Sequence, residues 1–156
     1  MSIDPLNRRR WLLAYAPLLI WTVFTLGLGS GAASMGETSR FIRPLLEFLF
    51  PSADAETIYL YHAAIRKLAH IFQYGVLSLL AYRAFSTFKR PVVLALCFVA
   101  LVAITDEIHQ SYDPSRTSTP LDVLLDVVGA LLALGLLFFI RRKRAARKDV
   151  GSVAYE

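Results

Sequence analysis

Apolar residues in this chain come in long uncharged blocks divided by short polar stretches, a pattern that alternating strands and soluble amphipathic helices do not give. Arg8-Arg9-Arg10 precede the first block, Trp11 to Leu28, which approaches the roughly 20 residues needed to cross a bilayer. A second block runs from about Ile65 to Phe85 and a fourth from Leu121 to Ile140. The third, from Val92, meets its first charge at Asp106, too early for a comfortable crossing; carried on to Gln110 it reaches roughly 28 Å at about 1.5 Å per residue. The pattern therefore predicts an all-α membrane protein with four transmembrane helices in one compact bundle, at approximately 11–28, 65–85, 92–110 and 121–140. Trp11 and Tyr15 are expected at the headgroup level.

Between the first two spans, Gly29 to Thr38 reads as a loop, with Thr38 or Ser39 as a helix cap. Phe41, Ile42, Leu45, Leu46 and Leu49 then recur at helical spacing, with Arg40, Arg43 and Glu47 elsewhere on the wheel. This predicts a short amphipathic helix on the outer surface, ended by Pro51. Tyr59 and Tyr61 fit an interfacial belt. A cleaved signal peptide is the competing reading of the first block, since Gly31-Ala32-Ala33-Ser34 follows it. The block is longer than the usual 7 to 15 residues of a signal core, so we read it as a retained span.

Composition supports this class: 56% of the 156 residues are hydrophobic and the mean hydropathy is positive. The net charge of +5 could suggest nucleic acid, but the basic residues crowd beside apolar blocks and no stacking motif accompanies them. They are better read as topology signals. The N-terminus, the connection holding Lys89 and Arg90, and the tail Arg141-Arg142-Lys143-Arg144 are all basic, whereas the first connection mixes its cations with Glu37, Glu47, Asp54 and Glu56. Both termini are then cytoplasmic. One membrane domain, 11–140, lies between a basic N-terminus, 1–10, and a basic tail, 141–156, held at the anionic inner leaflet. Cys97 can form no intramolecular disulfide and reads as a small core residue.

Several polar side chains interrupt the blocks, and an Asp at mid-bilayer costs roughly 2.5 to 3.5 kcal/mol on insertion scales. Lys67, His70 and Tyr74 share one face of span two; Asp106, Glu107 and Gln110 end span three; Asp122, Asp126 and Gly129 share a face of span four; Arg116 lies in the loop between. The four-span topology places all of them at the outer level, which predicts one outward-facing polar pocket. Lys67 and Arg116 could hold a phosphate or carboxylate, and the four carboxylates could serve as acid, base or ligands for a hard cation. His70 stays open between acid-base group, metal ligand and helix contact. The competing reading is structural: Lys67 with Asp106 or Glu107, and Arg116 with Asp122, pair as staples between short helices. His62 and His109 read as surface or interfacial residues, Tyr112 as belt, Asp113 as turn chemistry, and Ser30, Ser34 and Ser39 as loop residues. No nucleophile elbow, nucleotide motif or metal-ligand spacing is present, so no metal is assigned and the cofactor is unknown.

The set Arg66-Lys67-Leu-Ala-His70-Ile-Phe-Gln73-Tyr74, Asp106-Glu107-Ile-His-Gln110, Pro114-Ser-Arg116 and Asp122-Val-Leu-Leu-Asp126-Val-Val-Gly129 resembles the VanZ-like family of small bacterial membrane proteins. The resemblance covers Trp11 to about Ile140. It implies a multi-pass protein of the bacterial cytoplasmic membrane, and the family's founding member is associated with low-level teicoplanin resistance; it implies no particular reaction. Many relatives carry Glu where this chain has Gln73, which removes a carboxylate from the pocket. Taken together, these readings suggest a protein that binds, or binds and modifies, an anionic lipid or lipid-linked envelope precursor. Lys67, Tyr74, Gln110, Arg116, Asp122 and Asp126 would form its binding set, with Glu107, Asp106 and His70 for proton chemistry. A non-catalytic resistance or immunity protein and an ion or proton pathway are the alternatives.

Overall fold

The computed structural model describes residues 5–29, 35–112 and 120–153, and among them there are five helices and no strand. They are α1 (Pro5–Gly29), α2 (Met35–Leu49), α3 (Ala55–Ala84), α4 (Pro91–Ser111) and α5 (Pro120–Val153). Three of the five contain stretches long and apolar enough to cross a membrane: Trp11–Leu28, Pro91–Ser111 and Leu121–Ala146. α3 is not among them, because Arg66, Lys67, His70, Gln73 and Tyr74 lower its hydropathy.

α3 is the axis of the molecule and packs against each of the other four helices. Beside it lies α4; α1 and α5 flank this central pair on opposite sides, and α2 packs on α3. Arg83 of α3 donates to the Leu13 carbonyl of α1 and Trp21 of α1 donates to the Gln73 carbonyl of α3, which fixes those two helices as antiparallel. Tyr74 meets Asp106 and Phe85 meets Phe98, so α3 and α4 are antiparallel as well. α5 runs parallel to α3, since His70 meets Asp126 while Tyr82 meets Phe138 and Arg141. The result is an up-down bundle, with Arg9, Arg83, Lys89, Arg90 and Arg141 at one end and the polar residues of mid-α3 toward the other.

Small residues let these helices approach. Ala81, Ala84, Ala95, Ala103 and Ala130 are buried, and a Cβ on Gly129 would come within 2.5 Å of the Ile71 carbonyl oxygen. Only glycine tolerates that crossing, the arrangement expected where helices associate by close packing rather than by expelling water. Ser78 adds a bond across it, donating to the carbonyl oxygens of Gly75 and Ala130.

Pro17 lies inside α1 and has no N–H for the carbonyl of Leu13, four residues earlier. Arg83 of α3 supplies a donor, its Nη2 lying 3.0 Å from that oxygen. At the other end of α3, Asp54 accepts from the Thr57 N–H at 2.8 Å and caps the helix; hydrogen bonding to the Thr57 side chain first, and to its N–H second, holds the Asp54 carboxyl below the usual value.

Several expectations change. α3 starts about ten residues before Ile65, and α5 continues without a break past Ile140 into the basic tail. α2 begins at Met35, so Thr38 lies within the helix instead of capping it and pairs with His62 Nε2 at 3.0 Å. His62 is consequently buried rather than on the surface. Cys97 is exposed on α4, because the inward face there is taken by Ala95 and Val99.

Candidate functional site

A cavity of about 140 Å³ lies where α1, α2, α3 and α4 meet. Thr25 and Leu28 come from α1, Thr38 and Ile42 from α2, Arg66, His70 and Gln73 from α3, and Asp106 and Gln110 from α4, with Ile65 and Ala69 completing the wall. Arg66, His70 and Gln73 are spaced i, i+4, i+7, so one stripe of α3 supplies a cation, an imidazole and an amide to the same space.

Behind this lining, two bonds fix its titratable members. His70 Nδ1 meets Asp126 Oδ1 at 3.2 Å, tying α3 to α5. Tyr74, fully buried, donates to Asp106 Oδ2 at 3.2 Å and ties α3 to α4. The rings of His70 and Tyr74 are nearly parallel, with centroids 6.2 Å apart, so the two acids are engaged from one stack. With Nδ1 engaged by a carboxylate, Nε2 is the nitrogen His70 has left for a ligand.

Two buried polar atoms on the lining stand apart. Asp106 Oδ1 and Thr25 Oγ1 are closed to solvent and have no hydrogen-bond partner among the described residues. Thr22 and Thr105 satisfy their hydroxyls on the carbonyl four residues earlier, at 2.8 Å in both cases. Thr25 makes no such bond, although the same option exists within its helix. Among the described residues, no group of three or more His, Cys, Asp or Glu side chains is placed to hold a metal ion.

Of the residues read from the sequence, the cavity brings together His70, Asp106 and Gln110, with Tyr74 and Asp126 directly behind them. Lys67 is exposed and outside the lining; Glu107 and Asp122 are half-buried and also outside it. Arg116, Asp113, Ser30 and Ser34 lie outside the described residues. His109 and Tyr112 are exposed, and Ser39 is half-buried. The anticipated staple of Lys67 on Asp106 is replaced by Tyr74 on Asp106, since Tyr74 already occupies the buried face.

Sequence reasoning missed Thr25, Thr38, Arg66 and Gln73 as lining. Arg66 was within reach of it: neighbours one residue apart on a helix differ by about 100°, and the phase set by Gln73 selects Arg66 where the phase set by Tyr74 selects Lys67. Thr25 carried no signal beyond being one of two threonines in the first block.

Searches among curated proteins and solved structures found no match. A family model described as VanZ/LLP1 matches residues 12–141, which takes in the whole of the cavity lining and both pairs behind it. The apolar helices fit a membrane protein of that kind, and the chain belongs to the VanZ/LLP1 family.

Proposed function

We propose that this is a four-span protein of the bacterial cytoplasmic membrane, with both termini inside, whose cavity binds the phosphate-bearing head of an anionic lipid or lipid-linked envelope precursor at the outer leaflet. The observation that carries the reading is the inside-out pattern of α3. Its polar His70, Tyr74 and Ser78 point into the bundle, while Ile65, Leu68 and Phe72 are exposed. Such a helix fits a bilayer better than water, since lipid rewards an apolar exterior and confines polar groups to the interior. α3 also runs beside three helices of membrane length, which supports counting it as the fourth span.

The collection of Arg9, Arg83, Lys89, Arg90 and Arg141 at one end supports placing that end in the cytoplasm, and the cavity then opens toward the outer leaflet. α2 fits the interface there: Ile42 and Leu46 turn inward, Arg43 pairs with Glu47 at 2.8 Å on a charged side, and Phe41, Leu45 and Phe48 form an exposed apolar stripe.

Arg66 is the lining residue suited to a phosphate, through a fork that can engage two oxygens. Lys67 and Arg116 stand close enough in sequence to the site to steer an anion toward it. If the bound lipid is also modified, His70 backed by Asp126 is the group for proton transfer, with Glu107 and Asp106 as the other acids available. A part in teicoplanin resistance, suggested by family membership, would act through this lipid contact.

Native mass spectrometry of protein extracted in mild detergent tests the reading. Wild type is expected to retain a phospholipid-sized adduct whose occupancy falls by about tenfold in Arg66→Gln and His70→Gln, as loss of a charge-assisted bond implies. Equal occupancy in all three would refute it.

A second reading rests on the two buried pairs themselves: His70–Asp126 and Tyr74–Asp106 staple α3 to α5 and α4 with no ligand involved. It predicts variants that melt early and no adduct in wild type. The ion-pathway alternative finds little support, because the bundle toward its basic end is filled by Leu77, Ala81, Val99 and Ala103.

A further inference from the structure

Arg66 and Asp106 line the same small cavity although they ask for opposite partners, a phosphate for the one and a hydrogen-bond donor for the other. A ligand that was only an anion would leave Asp106 Oδ1 facing it with nothing to accept, and would bring like charges together. Asp106 is 3% exposed and Thr25 1%, so a ligand meets the two atoms that lack partners once these side chains turn into the cavity. One donor-bearing group could serve both: a hydroxyl donates to the carboxylate oxygen and accepts from Thr25, and a primary ammonium donates to each. Gln73 and Gln110 add amides that can follow either group.

Size limits the ligand further. The cavity is open on one side, and its volume of about 140 Å³, comparable to the engineered cavity of about 150 Å³ that holds benzene, accommodates on the order of six to ten heavy atoms of a ligand inside the bundle. That is a phosphate with two or three carbons and their substituents, and a glycan on a diphosphate is several times larger. Leu28, Ile42 and Ile65 supply an apolar flank for those carbons.

We infer that the cavity selects a small phosphodiester head group that carries its own hydrogen-bond donor, phosphoethanolamine or phosphoglycerol, with Arg66 on the phosphate and Asp106 and Thr25 on the ammonium or hydroxyl. The inference rests on the phosphate-bearing head-group reading above and changes one part of it: the anionic group recognised is the phosphate, and the lipid as a whole is neutral when the head is phosphoethanolamine. Thr25 is on this account a binding residue, which explains why its hydroxyl forgoes the backbone bond that Thr22 makes.

The test compares binding of short-chain phosphatidylethanolamine, phosphatidylglycerol, phosphatidylcholine and phosphatidic acid to the full chain in detergent. Phosphatidylcholine keeps the phosphodiester and a cation but has no N–H, and phosphatidic acid offers the phosphate alone. The first two lipids are expected to bind at least about tenfold tighter than the last two, the worth of one bond to a charged group. Thr25→Val and Asp106→Asn should erase that preference while weak binding of phosphatidic acid persists; Thr25→Ser should keep it. If Asp106→Asn does not fold, the two Thr25 variants decide the matter alone. Displacement by free glycerol 3-phosphate or phosphoethanolamine would support the same chemistry with a soluble source, and failure to displace would support it with the lipid as source. Equal binding of all four lipids, or a preference that survives both substitutions, overturns the inference while leaving a head-group site standing. Absence of binding by any of the four overturns the head-group reading with it.

Discussion

Pro17 and Arg83 show how far apart in sequence a single local defect and its remedy can lie. The carbonyl freed by the proline is in α1, and the guanidinium that meets it is at the end of α3. Replacing Arg83 with Met keeps the length of the side chain and removes the donor; unfolding in mild detergent should then become easier by about 1–3 kcal/mol. Gly129 is the opposite case, a residue whose value is having no side chain. Gly129→Ala forces a methyl against the Ile71 backbone, and the α3–α5 crossing should lose about 1–3 kcal/mol, read as a lower denaturation midpoint. Gly75→Ala meets its nearest neighbour at 3.3 Å, a side-chain methyl, and should cost less. Tyr74→Phe leaves a buried carboxylate short of its donor and belongs with the destabilising group, again by about 1–3 kcal/mol. None of these pairings was legible beforehand. Helical spacing says which residues of one helix share a face, and it is silent on which partner waits across the crossing.

At the scale of the element, α3 and α2 are the instructive pair. The apolar blocks located three of the helices closely, because hydrocarbon length and uncharged composition are properties of a segment by itself. α3 was bounded at Ile65 by the point where hydropathy rises, but helix formation depends on backbone bonds and caps, so the true start lies at the cap of Asp54. The spacing of α2 shows it as amphipathic, yet not its attachment to α3 through Thr38 and His62, since Thr38 reads as a helix cap and His62 as a surface residue. Burial of His62 pushes its imidazole pKa below the ordinary histidine value, and the charge of Arg66 adds to the effect. Such a group contributes stability in full above the ordinary value; the contribution shrinks as pH falls below it, until the lowered folded-state value is passed. Protection of the α2 amides, measured relative to their intrinsic exchange rates, should accordingly fall on going from pH 7.5 to pH 5.5. His62→Asn should flatten that dependence, and an unchanged pH response in the variant would assign it to another group.

For the molecule as a whole, the sequence carried the all-helical class and the family, and it located His70, Asp106 and Gln110, which do share the cavity. Of the nine polar residues expected at one depth, three line the cavity and two stand behind them, while Lys67, Glu107 and Asp122 lie outside the lining and Arg116 outside the described residues. Depth along a span can be counted from sequence, whereas rotation about the helix axis is set by packing against neighbours. The exterior follows the same logic. Ile20, Val23, Leu101, Leu132 and Leu136 form part of a broad exposed apolar surface that water would not tolerate on a monomer. Membrane-impermeant thiol labelling checks the orientation proposed for that surface. With Cys97 replaced by Ser, Tyr59→Cys should react from outside intact cells and Lys89→Cys only after lysis.

The most direct test of the central claim is photo-crosslinking in native membranes with a phospholipid whose diazirine sits beside the head group, the sites being read by peptide mass spectrometry. A head group held in the cavity predicts cross-links concentrated at Thr25 to Leu28 and Ile65 to Gln73, and strongly reduced by Arg66→Gln. Cross-links spread evenly over the exposed apolar surface, unaffected by that substitution, would mean that lipid only surrounds this protein and that the cavity serves something else.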